Sequence, residues 1–94
     1  MKFLEKHETE LIGNWVNDGK RLVEDEVCIR INWLLLNSLK EITKDESGWD
    51  TLYMDPNDKR YWELTYQQSQ MHGGGPPSLT NLSIDDVYKK YRIG

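Results

Sequence analysis

The stretch that decides the fold is WDTLYMDPNDKRYWELTYQ, residues 49–67. Aromatic residues and Thr fill both of its ends, and Pro56 lies in the segment between them, where it favours a chain reversal. The stretch therefore predicts a β-hairpin with a five-residue loop at 55–59. With regular pairing, alternation places Leu52, Met54, Trp62, Leu64 and Tyr66 on a core face. The opposite face is then aromatic, acidic and half-exposed, and it holds Trp49, Thr51, Tyr53, Tyr61, Glu63 and Thr65. A bulge would exchange the two faces.

Upstream of the hairpin, residues 25–44 carry the apolar spacing of one long helix. At 100° per residue, one stripe spans about 140° of its circumference and faces the core. This stripe consists of Val27, Cys28, Ile31, Leu34, Leu35, Leu39 and Ile42. Acidic residues at 24–26 and lysines at 40 and 44 would favour the helix dipole at the two ends. We expect Cys28 to act as a small buried hydrophobe.

A second apolar stripe lies on another side of the same predicted helix. It consists of Ile29, Trp33 and Leu36, spaced i, i+4 and i+7. A helix that is apolar on two sides is either enclosed between two layers or keeps one stripe for a partner. In a chain of 94 residues we expect the enclosed arrangement.

The remaining segments complete a small α+β domain. We expect residues 1–10 to be loosely ordered. The turn sequence Asn-Asp-Gly at 17–19 fits a small hairpin over 11–23, and a helical turn over 9–17 is the alternative. Residues 78–82 favour a third strand. The predicted fold is one long helix and a short C-terminal helix packed on a small antiparallel sheet, in a single domain over residues 1–94.

The C-terminal helix is predicted from its capping residues. Ser83 is placed to cap the helix, and Asp86 follows three residues later, as in a capping box. A helix over 84–91 would turn Ile84, Val87, Tyr88 and Tyr91 inward.

Composition excludes several classes of protein. Twelve basic and sixteen acidic residues give a net charge of −4, which disfavours nucleic-acid binding and suits a basic protein partner. One Cys excludes a disulfide framework and a thiolate zinc site. The sequence has no apolar run of the ~18 residues that span a bilayer, and residues 1–8 turn charged too early for a secretory signal. We therefore expect a cytoplasmic protein with no metal and no cofactor.

Catalytic patterns are equally scarce. Neither His7 nor His72 lies in a pattern that suggests a nucleophilic triad. The Gly-rich segment at 73–75 lacks the Lys and Ser/Thr of a phosphate-binding loop. Asp55 and Asp58 flank a hairpin loop, where Asp normally caps turns. Trp and Tyr beside charged residues on a rigid sheet are instead typical of a protein-binding hot spot, although each of Trp49, Tyr53 and Trp62 taken singly is expected in the core.

Three motifs together resemble the immunity protein 27 family of bacterial polymorphic toxin systems. They are GWDTLYMDP at 48–56, RYWEL at 60–64 and HGGGPP at 72–77, and LIGNW at 11–15 and RINWL at 30–34 also fit. The resemblance covers the chain from about residue 10 to its end. Lys59 departs from the pattern, where the family usually has Gly, and so does Gln67, where a Pro is frequent.

The resemblance implies a non-enzymatic antitoxin that binds the C-terminal domain of a cognate, basic toxin and covers its active site. A nuclease is one such toxin. The expected partner-binding residues are Asp50, Tyr53, Asp55, Asp58, Tyr61, Glu63 and His72. The loop at 73–77 is either a structural turn or a contact element.

Three other functions stay open from the sequence. The first is a protein-interaction module or a homodimer that uses the stripe of Ile29, Trp33 and Leu36. The second is a small-molecule binding protein with a pocket lined by Trp49 and Trp62. An enzyme is the third and the least supported.

Overall fold

The computed structural model describes residues 1–66 and 75–92. Within these residues the chain forms seven strands and two helices. They are β1 Glu10–Ile12, β2 Trp15–Asn17, β3 Leu22–Glu24, α1 Glu26–Asn37, β4 Lys40–Lys44, β5 Thr51–Met54, β6 Tyr61–Tyr66, β7 Pro77–Leu82 and α2 Ile84–Tyr91. The α+β prediction is confirmed.

Five of these strands form one antiparallel sheet in the order β1-β7-β6-β5-β4, and β2 and β3 form a separate hairpin. The predicted hairpin is β5–β6, but its predicted faces are wrong. Tyr53 lies opposite Trp62, and Leu52 lies opposite Glu63, so each pair shares a face. The loop between the strands has six residues rather than five because β6 begins at Tyr61. One extra residue in a loop moves every side chain of the following strand to the other face.

Helix α1 packs on one face of the sheet and builds the larger core. Ile31 and Leu34 from the helix meet Trp62, Leu64 and Leu79 from the sheet. Helix α1 begins where the acidic residues at 24–26 predict its start. The side chain of Asp25, its N-cap residue, accepts a hydrogen bond from the Cys28 N–H at 2.8 Å. Cys28 is fully buried, as predicted.

The predicted second half of that helix is wrong. Helix α1 ends at Asn37, and residues 40–44 form strand β4, which pairs with β5. The N–H groups of Ser38 and Leu39 both donate to the Leu34 carbonyl, which closes the last turn and lets the chain reverse. Leu39 lies beyond the helix but is buried in the same core. The apolar spacing of the sequence therefore extends past the end of α1, and it predicted a helix that is too long. Ile42, predicted inside, is 41% exposed on the edge strand.

Helix α2 covers the opposite face of the sheet. Val87 and Tyr91 pack with Leu52 in a second, smaller core. The Ser83 hydroxyl accepts from the Asp86 N–H, so the predicted cap and the predicted helix are both confirmed. Two of the four residues predicted to face inward do not, since Ile84 is 61% and Tyr88 49% exposed. A helix of two turns on one sheet buries only a narrow line of side chains.

The N-terminal third forms strands rather than a helical turn. Strand β1 pairs with β7 at the edge of the main sheet, and the turn at 17–19 joins β2 to β3. Within that turn the Asn17 side chain accepts from the Gly19 N–H, and Gly19 has a φ of +100°. The hairpin alternative is therefore the correct one for residues 15–24, while Leu11 and Ile12 belong to the main sheet.

Residues 1–9, the N-terminal arm, cross α1 and reach the loop of the β5–β6 hairpin. Leu4 is buried in the larger core. Arg30 on α1 pairs with Glu8 through both carboxylate oxygens, at 2.7 and 2.8 Å. Arg60 donates to the carbonyls of Glu5 and Glu8 at 2.9 and 2.6 Å. Arg30 and Arg60, which are thirty residues apart in the sequence, thus bind the N-terminal arm to α1 and to the hairpin loop.

Candidate interaction site

Tyr53 and Tyr61, two of the predicted partner-binding residues, lie on opposite faces of the sheet. Tyr53 packs against the core beneath α1, and burial raises the pKa of its phenol. Tyr61 packs against the core beneath α2. Both side chains are half-buried. His72 lies outside the described residues.

Asp50 and Glu63 come together around one lysine of α2. The Lys90 ammonium lies 2.6 Å from a carboxylate oxygen of each. Burial opposes the charge of Lys90, but its hydrogen bonds to Asp50 and Glu63 outweigh burial and raise its pKa. Glu63 is 8% exposed and also accepts a hydrogen bond at 2.7 Å from the Tyr91 hydroxyl, whose pKa is raised by burial and by this bond. This network fastens α2 to the sheet.

Asp55 and Asp58 organise the loop of the hairpin. Asp55 is fully buried, and one of its carboxylate oxygens accepts from the Asn57 N–H at 2.9 Å. Asp58 accepts from the side chain and the backbone N–H of Arg60. The Arg60 guanidinium in turn stacks over the Trp62 ring at 4.8 Å from its centroid. Both aspartates therefore have internal partners, which is the turn-capping role that their position in a loop favours.

Trp49, which the alternation of the hairpin places on the half-exposed face but which taken singly is expected in the core, is 63% exposed. It lies in the turn between β4 and β5 and is flanked by acidic residues at 45, 46 and 50. Asp45 holds this turn, because its Oδ1 accepts from the Ser47 hydroxyl and from the Gly48 N–H at 2.7 and 3.0 Å. The bond from Ser47 is the main reason that the pKa of Asp45 is lowered. The short, polar DESG segment before Trp49 is the signal that could have indicated its exposure.

The second stripe of α1 is open to solvent over much of its length. Leu36 is 85% and Ile29 47% exposed, so the prediction of an enclosed helix is wrong. Trp33 is half-buried, since it packs against the larger core and Phe3 of the arm contacts it with 5.4 Å between ring centroids. Beside Ile29 lies a shallow groove of about 400 Å³, lined by Met1, Lys2, Glu26, Ile29 and Arg30. Neither Trp49 nor Trp62 lines it, and Trp62 is fully buried.

Between positions 1–66 and 75–92, no three His, Cys, Asp or Glu side chains are grouped as ligands for a metal ion. No helix in this part of the chain has the length and apolar character needed to cross a membrane.

Comparison with known proteins identifies the class. Residues 17–83, from the end of β2 to the residue after β7, match the family model of immunity protein 27. The chain therefore belongs to the immunity protein 27 family, as its motifs indicate. Membership assigns it an immunity, or antitoxin, role with a toxin as partner. Neither the curated proteins nor the solved structures contain a match to this chain.

Proposed function

We propose that this protein binds the toxic C-terminal domain of a cognate polymorphic toxin in the cytoplasm of the producing cell and blocks its active site. The observation that carries the proposal is the family match over residues 17–83. The matched segment includes α1 and four of the five strands of the main sheet, so it supplies most of the scaffold.

The proposed inhibitor works by occupying a surface rather than by chemistry of its own. Asp50 and Glu63 share one ion-pair partner, Lys90, and Asp55 and Asp58 accept hydrogen bonds within their loop. Ion pairing and turn capping give these four carboxylates roles in the fold, which favours a binding protein.

Charge supports a basic toxin as the partner. The net charge of −4 favours encounter with a positively charged domain and speeds association. Toxins that cleave nucleic acids carry basic substrate paths, and an acidic inhibitor would compete for the same charges. A nuclease is therefore the toxin class that we propose to test first.

Co-expression tests the proposal directly. We expect the gene upstream to encode a large secreted protein, and its C-terminal domain should arrest growth when it is expressed alone. Growth should recover when this protein is produced with it, and the two purified chains should form a 1:1 complex. A nuclease domain should also lose its activity in vitro. Equal killing with and without this protein would end the proposal.

A second candidate function rests on the open stripe of α1. The exposure of Leu36 and Ile29 favours an interaction module or a homodimer that buries this stripe. Sedimentation at 1–100 μM (about the range of a moderately stable dimer) should then show a dimer that Leu36→Lys converts to monomer. A wild-type monomer across this range would exclude the dimer.

A further inference from the structure

We infer that Trp49 is the anchor by which the protein holds its toxin, and that it enters an apolar pocket ringed by Lys and Arg on the toxin surface. The inference rests on the proposed function and goes beyond it by naming one binding residue and the chemistry of the surface that receives it.

Trp49 is the most exposed of the four Trp residues. Its side chain is 63% exposed, whereas Trp62 is fully buried and Trp15 and Trp33 are half-buried. A Trp side chain can bury 150–250 Å², so an exposed one leaves a large apolar area in water. Trp is also among the residues most enriched at the energetic centres of protein interfaces.

Hydrogen bonds hold the turn that carries Trp49. The Trp49 N–H donates to the Ser47 hydroxyl at 3.1 Å, and the Asp45 and Asp50 main chains are joined by an N–H···O bond of 3.0 Å. Gly48 has a φ of +78°, and a Cβ there would meet no atom within 4 Å, so its role is conformational. A backbone held in this way loses little conformational entropy when the side chain binds.

The charge around Trp49 selects the partner. Asp45, Glu46 and Asp50 lie within four residues of it, and Lys90 offsets only one of these three charges. An acidic rim around an indole complements a pocket bordered by cations. A guanidinium of the partner can also stack on the indole face as a cation–π pair. These acidic residues would repel a nucleic acid or an anionic lipid surface, so a basic protein surface is the occupant that fits.

The test measures affinity for one defined probe, the purified toxin domain encoded upstream, by calorimetry or biolayer interferometry. Trp49→Ala should weaken binding by at least about 30-fold, as expected for a hot-spot residue. Glu46→Gln should weaken it about 2- to 5-fold, mainly through slower association at low salt. Leu36→Ala is the matched control, since it removes an even more exposed apolar side chain on α1 and should stay within about twofold of wild type.

The outcomes separate the inference from the proposed function. A wild-type chain that binds the domain while Trp49→Ala binds within about threefold of it would overturn the inference and leave the proposed function standing. Loss of binding in Leu36→Ala but not in Trp49→Ala would also overturn it, and would place the interface on α1. A wild-type chain that does not bind the domain would remove the proposed function and this inference with it. Because Trp49 is exposed, the variant should unfold at the urea concentration of wild type, and that measurement shows that the chain is folded.

Discussion

Replacement of Glu8 by Gln should loosen the N-terminal arm and make the stability of the protein less sensitive to acid. Glu8 accepts two charge-assisted hydrogen bonds from Arg30, and both side chains are only 14% exposed. The same guanidinium donates to the Phe3 carbonyl, so it joins two points of the arm to α1. Glu8→Gln removes the carboxylate charge and so weakens the two hydrogen bonds between Arg30 and residue 8, whereas the bond from Arg30 to the Phe3 carbonyl remains.

The magnitude follows from the pKa of Glu8. The hydrogen bond from Arg30 is the largest cause of its decrease from 4.5 to about 2, and burial opposes it. At 1.36 kcal/mol for each pKa unit, the difference of about 2.5 corresponds to at most about 3.4 kcal/mol. Solvent screens a pair at the surface, so we expect about 1.5–2.5 kcal/mol. Because the folded pKa lies below the unfolded value, this stability is present above pH 4.5 and is lost as the pH falls toward 2.

Urea unfolding at pH 7 and pH 3.5, followed by Trp fluorescence, measures the effect. Glu8→Gln should lower the free energy of unfolding by about 2 kcal/mol at pH 7, and this difference should shrink by roughly half at pH 3.5. Glu5→Gln is the control, because Glu5 is 47% exposed and its pairs with Lys2 and His7 are 3.4 and 3.5 Å long. It should cost less than about 0.5 kcal/mol. A difference that is equal at both pH values, or a Glu8→Gln variant as stable as Glu5→Gln, would refute the reasoning.

Three further substitutions and one thiol-labelling experiment test the packing, a buried hydrogen bond and the backbone conformation. Gly13→Ala would place a Cβ 2.6 Å from the Cys28 Sγ, so urea unfolding should show a loss of about 1–3 kcal/mol; a loss below about 0.5 kcal/mol would show that this approach is not tight. Tyr91→Phe removes the buried hydrogen bond to Glu63 and should cost about 1–2 kcal/mol by the same measurement, whereas an unchanged midpoint would mean that water replaces the hydroxyl. Lys59 has a φ of +66°, so Lys59→Gly should stabilise the chain by about 0.5–1 kcal/mol and raise its melting temperature, while a decrease would contradict backbone strain there. Burial raises the pKa of the Cys28 thiol, so a thiol reagent at pH 8 should react with it only after denaturation, and rapid labelling of the native chain would disprove its enclosure.

The elements with strong local signals were predictable from the sequence. The start of α1 and the whole of α2 follow from their capping residues, Asp25 and Ser83, which act within three residues of their own position. The β5–β6 hairpin follows from its aromatic strands around Pro56. The end of α1 was not predictable in this way. Residues 40–44 form strand β4 instead of more helix because they pair with β5, and that pairing is a contact between separate segments of the chain.

The candidate site was less accessible to sequence reasoning. Asp50 and Glu63 were expected to share a surface with a partner, but the structure pairs both with Lys90. Taken singly, Trp49 was expected in the core because most aromatic side chains in a small domain are needed there, although the hairpin pattern placed it on the half-exposed face. Its exposure depends on where strand β5 begins, and sequence patterns define such boundaries poorly.

The amino-acid sequence by itself determined the class of fold, the two helix starts, the hairpin, the acidic charge and the family. These features depend on composition or on residues a few positions apart. Only the tertiary structure decided which side chains of β5 and β6 share a face, since a loop one residue longer moves every side chain of β6 to the other face. It also decided that Arg30 and Arg60 would hold the arm and that Lys90 would join α2 to Asp50, contacts that span 22 to 52 residues of chain. Such distant groups meet only when the core brings their elements together, and no local pattern encodes that meeting.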